Sequence, residues 1–291
     1  MRTGAVQRGD TMNIDIGSLF GDAFAMFKER FWGMLGLWAT FIGIIVALFI
    51  GYFIVVGASL AGFAAFAGGA DASSAGFGGL GGGMIASVVV FYLAFLALIF
   101  AQQCAMCAKA SPVERLSFGD AMARGFKAGL TMTALIIPLI IVQLVLSLLG
   151  MLVVGVASLA SPILAYVALA LLMPVAIYVA CRFAVLMPVI AVEQVYNPIK
   201  AVNRSWAITQ GRVLSIFVVL LISGAVGFVV FGLPAFAAGM LGGEGSLLVA
   251  LMPLITFPLA VVFAIFFAAV NACLHAKISD YGAQSAAEVF Q

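Results

Sequence analysis

The chain has 291 residues, of which 65% are hydrophobic and only 8% are charged, and its mean hydropathy is +1.27. Soluble domains carry about 25% charged residues, so the composition excludes an ordinary soluble enzyme or soluble binding domain. The formal net charge is +2 and there is no basic tract. We therefore expect no nucleic-acid partner.

Mostly apolar runs of membrane-spanning length recur along the sequence. They predict an all-α integral membrane protein with a single polytopic domain over residues 1–291. The six predicted transmembrane helices lie at about 32–56, 84–108, 130–156, 163–192, 213–241 and 247–276. The stretch 57–83 is rich in Gly, Ala and Ser and is predicted to form a loop outside the bilayer, with a short apolar helix at 60–66 as a candidate within it. Pro174 and Pro188 predict that the fourth span is kinked or continues past the bilayer.

A short amphipathic helix in the plane of the membrane is predicted before each pair of spans, at about 15–31, 118–128 and 197–210. In the third, Asn197 is a good N-cap, Pro198 suits the first helical position and Gly211 suits the position after the end. An apolar stripe opposite basic residues is typical of a helix in the membrane interface. The two predicted faces are Ile199, Val202 and Trp206 against Lys200, Asn203 and Arg204.

The sequence of these in-plane helices repeats. FGDAFAMFK at 20–28 resembles FGDAMARGFK at 118–127, and PIKAVNRSW at 198–206 aligns with the second copy. Each copy is followed by an outward span, a loop and an inward span. This order predicts three parallel repeats related by a pseudo-axis along the membrane normal. The repeat units are about 14–108, 116–192 and 197–276. The alternative is that any in-plane helix before a span has this appearance.

The basic residues predict the orientation of the chain. Every Lys and Arg lies before span one, between spans two and three, within or after span four, or after span six. The loops on the opposite side carry only Asp71 and Glu244. By the positive-inside rule, both termini are predicted to be cytoplasmic.

Arg182 is the most informative candidate site residue, because it lies in the apolar context YVACRFAVLMP and a charge within a span is costly. One interpretation is a site for an anionic headgroup or substrate, formed by Arg182 with Arg204 or Arg212. The other is a structural ion pair of Arg182 or Arg204 with Glu193, which would hold the third in-plane helix against span four.

Three further residues are candidate polar contacts within the membrane. Gln143 is predicted to hydrogen-bond between helices. Asn271 and His275 are four residues apart and share a helix face, which fits either a proton relay or the polar end of a helix. The single histidine excludes a two-histidine metal site, and no catalytic constellation appears. We therefore expect no enzyme, no cofactor and no metal.

The chain resembles the membrane domain of some bacterial glycerophosphoryl diester phosphodiesterases and its stand-alone YciC-like relatives. The resemblance is carried by AFAMFKERF at 23–31, by Arg182 followed by Glu193, and by AVNRSWAITQGRVLSIF at 201–217. In those phosphodiesterases, catalysis belongs to a separate soluble barrel whose histidines and metal-binding carboxylates have no counterpart here. The resemblance thus implies a protein of the bacterial inner membrane, without the hydrolase activity.

The sequence favours a non-enzymatic function, either association with lipid or a scaffold in maintenance of the cell envelope. The alternative is a transporter or permease for a lipid or small molecule, which the parallel repeats and proline-containing spans also fit. A water-filled cavity that reaches Arg182 would favour the transporter, and a dry packed bundle the scaffold. Membrane lipids are the expected partners, together with a second membrane or envelope protein as a candidate, and the oligomeric state is open.

Overall fold

The computed structural model describes residues 14–67, 77–242 and 247–279, and within these ranges the chain is helical with no strand. The helices are α1 (Ile16–Ala67), α2 (Phe77–Ala110), α3 (Phe118–Ala160), α4 (Pro162–Phe183), α5 (Leu186–Ala191), α6 (Pro198–Ile208), α7 (Val213–Gly227), α8 (Leu233–Gly242) and α9 (Leu247–Ile278). A π-helical segment, Phe228–Gly232, joins α7 to α8. In the described ranges, six helical stretches are long and apolar enough to cross a membrane. The prediction of an all-helical chain with six helices long and apolar enough to cross a membrane is confirmed for the described residues.

The predicted loop at 57–83 is largely helical. α1 continues to Ala67 and α2 begins at Phe77, so the GGLGGG sequence lies in the first turns of α2. The remainder of the predicted loop, at 68–76, lies outside the described residues. Glycine in a helix costs about 1 kcal/mol per residue relative to alanine, and the backbone hydrogen bonds of a continuous helix offset that cost. Extending both helices therefore satisfies more of the backbone than a loop would.

Only the third predicted in-plane helix is a separate helix. The segments 15–31 and 118–128 run without interruption into the spans that follow them, within α1 and α3. α6 is separate because Gly211 adopts a φ of +78°, which ends the helix and turns the chain toward α7. A left-handed backbone of this kind favours glycine.

Pro188 explains the interruption in the fourth predicted span. α4 ends at Phe183 and α5 begins at Leu186. The proline ring clashes with the carbonyl of the residue four positions earlier, which is Ala184. Pro174 lies inside α4 without ending it. The sequence predicts that the span is kinked or continues past the bilayer, and the structure shows an interruption between α4 and α5 ahead of Pro188.

The buried core lies close to the end of the bundle at which α1 begins and α9 ends. We call this the polar end: the start of α1, the connections 111–117, 192–197 and 209–212, and the end of α9. α2 and α3 pack most closely there. A Cβ atom on Gly125 would lie 2.6 Å from the Ala101 carbonyl oxygen, and one on Gly129 2.7 Å from the Ala97 carbonyl oxygen. These glycines allow two backbones to approach, as small residues do in membrane helix pairs.

The opposite half of the bundle, which we call the far half, is much more open. Every residue from 140 to 149 in α3 and from 169 to 178 in α4 is exposed. α3 and α4 contact each other at Gly150, where an added Cβ would lie 3.6 Å from Leu172 Cδ1. The far half therefore exposes a large apolar surface.

Candidate functional site at the polar end

Arg182 joins α4 to α6 in the core of the polar end. Its Nε and Nη2 atoms donate to the Tyr178 hydroxyl at 3.0 and 2.7 Å. Its Nη1 donates to the Trp206 carbonyl at 2.9 Å and to Thr209 Oγ1 at 3.4 Å. In return, Ser205 Oγ donates to the Arg182 carbonyl at 2.7 Å. Arg182 is only 7% exposed, so these bonds replace water around the guanidinium.

Two aromatic rings complete the surroundings of Arg182. The guanidinium carbon lies 4.8 Å from the centre of the Trp206 ring and 5.0 Å from the centre of the Tyr178 ring. Such cation–π contacts are worth about 2 kcal/mol or more when desolvated. All oxygens that Arg182 contacts among the described residues are neutral ones, from a phenol, a hydroxyl and a backbone carbonyl. A buried guanidinium without a carboxylate partner is uncommon.

Glu193 is a buried carboxylate of the polar end, and it pairs with Arg204 and His275. Arg204 Nε lies 2.8 Å from Oε2 and its Nη2 lies 3.2 Å from Oε1. His275 Nε2 lies 3.0 Å from Oε1. The structural ion pair that the sequence left open therefore forms between Arg204 and Glu193, and Arg182 takes no part in it. Through Arg204 and His275, Glu193 thus links the 192–197 connection to α6 and to α9.

These two partners set the protonation of Glu193. Burial by itself would raise the pKa of the carboxyl group, since it disfavours the charged form. The hydrogen bonds from His275 and Arg204 outweigh burial and lower the pKa below its ordinary value. Glu193 is therefore an ionised acceptor, and His275 Nε2 carries the hydrogen in their bond.

The two candidate polar residues of α9, Asn271 and His275, are both buried. His275 is 1% exposed, and its Nδ1 has no hydrogen-bond partner among the described residues. Asn271 is 9% exposed and lies one helical turn away. Within the described ranges, no group of three His, Cys, Asp or Glu side chains is placed to hold a metal ion.

Two further arginines fix helix C-termini. Arg212 donates from Nη1 to the carbonyl of Ile278, the last residue of α9. Arg30 donates to the carbonyls of Lys109 and Ser111, both at 2.7 Å, at the end of α2. Arg182 plays the same role at the end of α6 through the Trp206 carbonyl. Positive groups at helix C-termini satisfy free carbonyls and interact favourably with the helix dipole.

The structure does not bring all predicted site residues together. Arg212 caps α9 by donating to the Ile278 carbonyl, which is not an acceptor for Arg182. Gln143 lies in the far half, where its amide nitrogen donates to Ser147 Oγ on the same helix at 3.2 Å rather than to another helix. Sequence reasoning missed Arg30, because within KERF it has the appearance of an ordinary exposed charge. No pattern in the sequence distinguishes it from its neighbours.

The face of α6 that packs against the bundle consists mostly of small residues. Ala201, Ser205 and Ile208 are buried, whereas Ile199 is 72% exposed and Trp206 is 39% exposed. The small residues Ala201 and Ser205 let α6 approach α4 closely enough for the Arg182 contacts. The larger apolar side chains consequently face outward, where lipid can cover them.

An apolar groove opens beside this network, between α4 and α7. Its volume is about 490 Å³. The lining residues are Ile177, Ala180, Cys181, Phe217, Leu220, Leu221, Gly224, Ala225 and Phe228. No Asp, Glu, Lys, Arg or His side chain contributes to its described lining. The groove is therefore suited to a hydrocarbon rather than to a hydrated ion.

Comparison of the chain with protein-family models, with curated proteins and with solved structures found no match. The resemblance to phosphodiesterase membrane domains therefore stays a prediction.

Proposed function

We propose that the chain is a multi-pass protein of the bacterial inner membrane that has no catalytic activity of its own, associates with lipid and serves as a scaffold in the envelope. The observation that carries this proposal is the use of the polar side chains at the polar end. Arg182, Glu193, Arg204, Arg212 and His275 all contact another helix or a connection between helices. They hold the bundle together instead of lining a space for a substrate.

The exposed surfaces support the association with lipid. The α3–α4 hairpin presents apolar side chains on nearly all sides of its far half. At the polar end, α6 exposes Ile199 and Trp206 beside Lys200 and Asn203. A helix that combines exposed aromatic, aliphatic and basic side chains fits the boundary between hydrocarbon and headgroups.

We also propose that the three predicted units are repeats. In support, Ala23, Ala121 and Ala201 occupy the same position of the aligned copies and are all fully buried. Ser117 and Asn197, also aligned, both cap helices by accepting from the backbone N–H three residues on.

An aligned ion pair further supports the relation between the second and third copies. Arg124 pairs with Glu114 at 2.7 Å, ten residues earlier, and Arg204 pairs with Glu193 at 2.8 Å, eleven residues earlier. Each arginine thereby binds the connection that leads into its own helix.

The orientation with both termini in the cytoplasm is part of the proposal, and a C-terminal reporter found outside the cytoplasm would overturn that part.

Reconstitution into vesicles tests the proposed function. With the full chain in vesicles of phosphatidylethanolamine and phosphatidylglycerol, we expect no transfer of a fluorescent phospholipid between leaflets above that in empty vesicles. We also expect no release of glycerol 3-phosphate from glycerophosphodiesters. The melting temperature of the protein should rise as the fraction of phosphatidylglycerol rises.

Each measurement has a contrary outcome. Lipid transfer faster than in empty vesicles would replace the scaffold with a lipid permease, and release of glycerol 3-phosphate would establish an enzyme. A melting temperature that does not depend on lipid composition would contradict the proposed association with lipid.

A further inference from the structure

We propose that the groove between α4 and α7 binds an acyl chain of an anionic phospholipid whose phosphate accepts hydrogen bonds from Tyr178 and Trp206, beside the positive charge of the buried Arg182. This inference rests on the proposed association with lipid and names its site and the class of lipid. It is carried by an apolar groove and a cluster of hydrogen-bond donors that lie next to each other.

The groove has the length and chemistry for a hydrocarbon chain. It extends along α7 from Phe217 to Phe228, which is about 16 Å at 1.5 Å per residue. Both of its walls belong to stretches long and apolar enough to cross a membrane, so lipid rather than water surrounds it. Leu221 and Phe228 are 57% and 62% exposed, and a bound chain would cover them.

The π-helical segment shapes the far end of the groove. A Cβ atom on Gly232 would lie 2.5 Å from the Phe228 ring. Any residue larger than glycine at this position would therefore force the ring to move. π-helical turns are rare in proteins, and those that occur are often found at functional sites. Here the segment determines where Phe228, a lining residue, is positioned.

Hydrogen-bond donors cluster next to the groove. The Tyr178 hydroxyl oxygen accepts two bonds from Arg182, so its own hydrogen is free to donate. No described residue accepts from that hydrogen or from the indole N–H of Trp206. Tyr178 and Trp206 are 41% and 39% exposed, which makes both accessible to a lipid headgroup.

Charge complementarity favours an anionic headgroup. Arg182 contacts only neutral oxygens among the described residues, and the carboxylate of Glu193 is bound by Arg204 and His275 instead. A phosphate bound by Tyr178 and Trp206 would supply the missing negative charge beside the guanidinium, and a hydrogen bond from a phenol to a charged phosphate is a strong one. No described carboxylate adjoins Tyr178 or Arg182 to bind a cationic choline or ethanolamine group.

One lipid can reach both parts of the site. Ile177 and Cys181 line the groove and are the chain neighbours of Tyr178 and Arg182. The headgroup would therefore lie at the polar end of the groove, where a phospholipid with its tail in the hydrocarbon places its phosphate.

Native mass spectrometry of the full chain in a mild detergent tests the site, with phosphatidylglycerol and phosphatidylcholine of identical acyl chains as probes. We expect the wild-type protein to retain phosphatidylglycerol in preference. Gly224→Leu should abolish this retention, because its side chain would fill the groove, where an added Cβ meets nothing within 4 Å. Tyr178→Phe should weaken the binding of phosphatidylglycerol by about tenfold and reduce the preference for it.

Gly155→Leu is the matched control, since Gly155 lies in α3 away from the groove and an added Cβ there also meets nothing within 4 Å. It should bind lipid as the wild type does. Retention by Gly224→Leu at the wild-type level would overturn the groove. Equal binding of both lipids, unchanged by Tyr178→Phe, would overturn the headgroup site. If the wild type retains no lipid while its melting temperature still rises with phosphatidylglycerol, this site fails and the general association with lipid stands.

Discussion

The polar end and the far half of the bundle are held together in different ways. At the polar end, side-chain bonds link separate helices: Arg182 to α6, Glu193 to α6 and α9, Arg212 to α9. In the far half, the hydrogen bonds of α3 stay within the helix, as those of Gln143 and Ser158 do. The apolar side chains there are exposed rather than packed against other helices.

This difference follows from the solvent that each half meets. In hydrocarbon an apolar side chain gains little by leaving lipid for protein, so association depends on close packing and hydrogen bonds. The far half has few of either, and its exposure costs little. Near the headgroups, polar contacts between helices and close backbone approach at Gly125 and Gly129 define the structure. The polar end should therefore determine stability, and the far half should tolerate substitution.

Substituting glycine by leucine in each half should give the largest contrast. In Gly129→Leu the new side chain would meet Ala101 and the Ala97 carbonyl at 2.7 Å. We expect a loss of about 3 kcal/mol or more, because both helices must move apart. Gly155→Leu meets open space and should change stability by less than about 0.5 kcal/mol. Thermal unfolding in detergent would measure both, and equal effects would contradict the comparison.

Glu193→Gln should have an intermediate effect that depends on pH. The folded-state pKa of Glu193 is lowered, so its charge stabilises the fold above the unfolded pKa of about 4.3, and this contribution is lost as pH falls through the folded pKa. At pH 7 we expect Glu193→Gln to cost about 1–2 kcal/mol, a value reduced by the partial exposure of Arg204.

The difference between wild type and Glu193→Gln should disappear once the pH falls below the folded pKa. Melting temperatures of both proteins across this range would measure it. A difference that stays constant as the pH falls from 7 through the folded pKa would show that the charge of Glu193 is unimportant.

Replacing polar residues of α3 by apolar ones should give the smallest difference in stability between the polar end and the far half. Thr131 Oγ1 donates to the Tyr196 carbonyl at 3.2 Å across the polar end, so Thr131→Val should cost about 1 kcal/mol. Gln143→Leu removes only a bond within α3 and should lie within about 0.5 kcal/mol of the wild type. The two variants can be compared by unfolding in the same detergent. A larger loss for Gln143→Leu would indicate that the far half has a partner that Gln143 binds.

Composition and hydrophobic length alone determined the all-helical class and the six long apolar helices, because the bilayer demands both whatever the details of packing. Local signals determined the ends of α6: Asn197 accepts from the Lys200 N–H at 3.1 Å and Gly211 turns the chain. A cap and a positive φ depend on a few adjacent residues, so the sequence is sufficient to predict them.

Only the tertiary structure decided how the charged residues pair. Arg182 and Arg204 each lie eleven residues from Glu193 and are equally plausible partners by spacing, yet Arg204 and His275 bind it and Arg182 caps α6. His275 is 82 residues from Glu193 in the chain. Such pairings depend on which helix ends meet and at what rotation, and helix periodicity carries no information about either. The same holds for the groove, which exists only because α4 and α7 lie side by side.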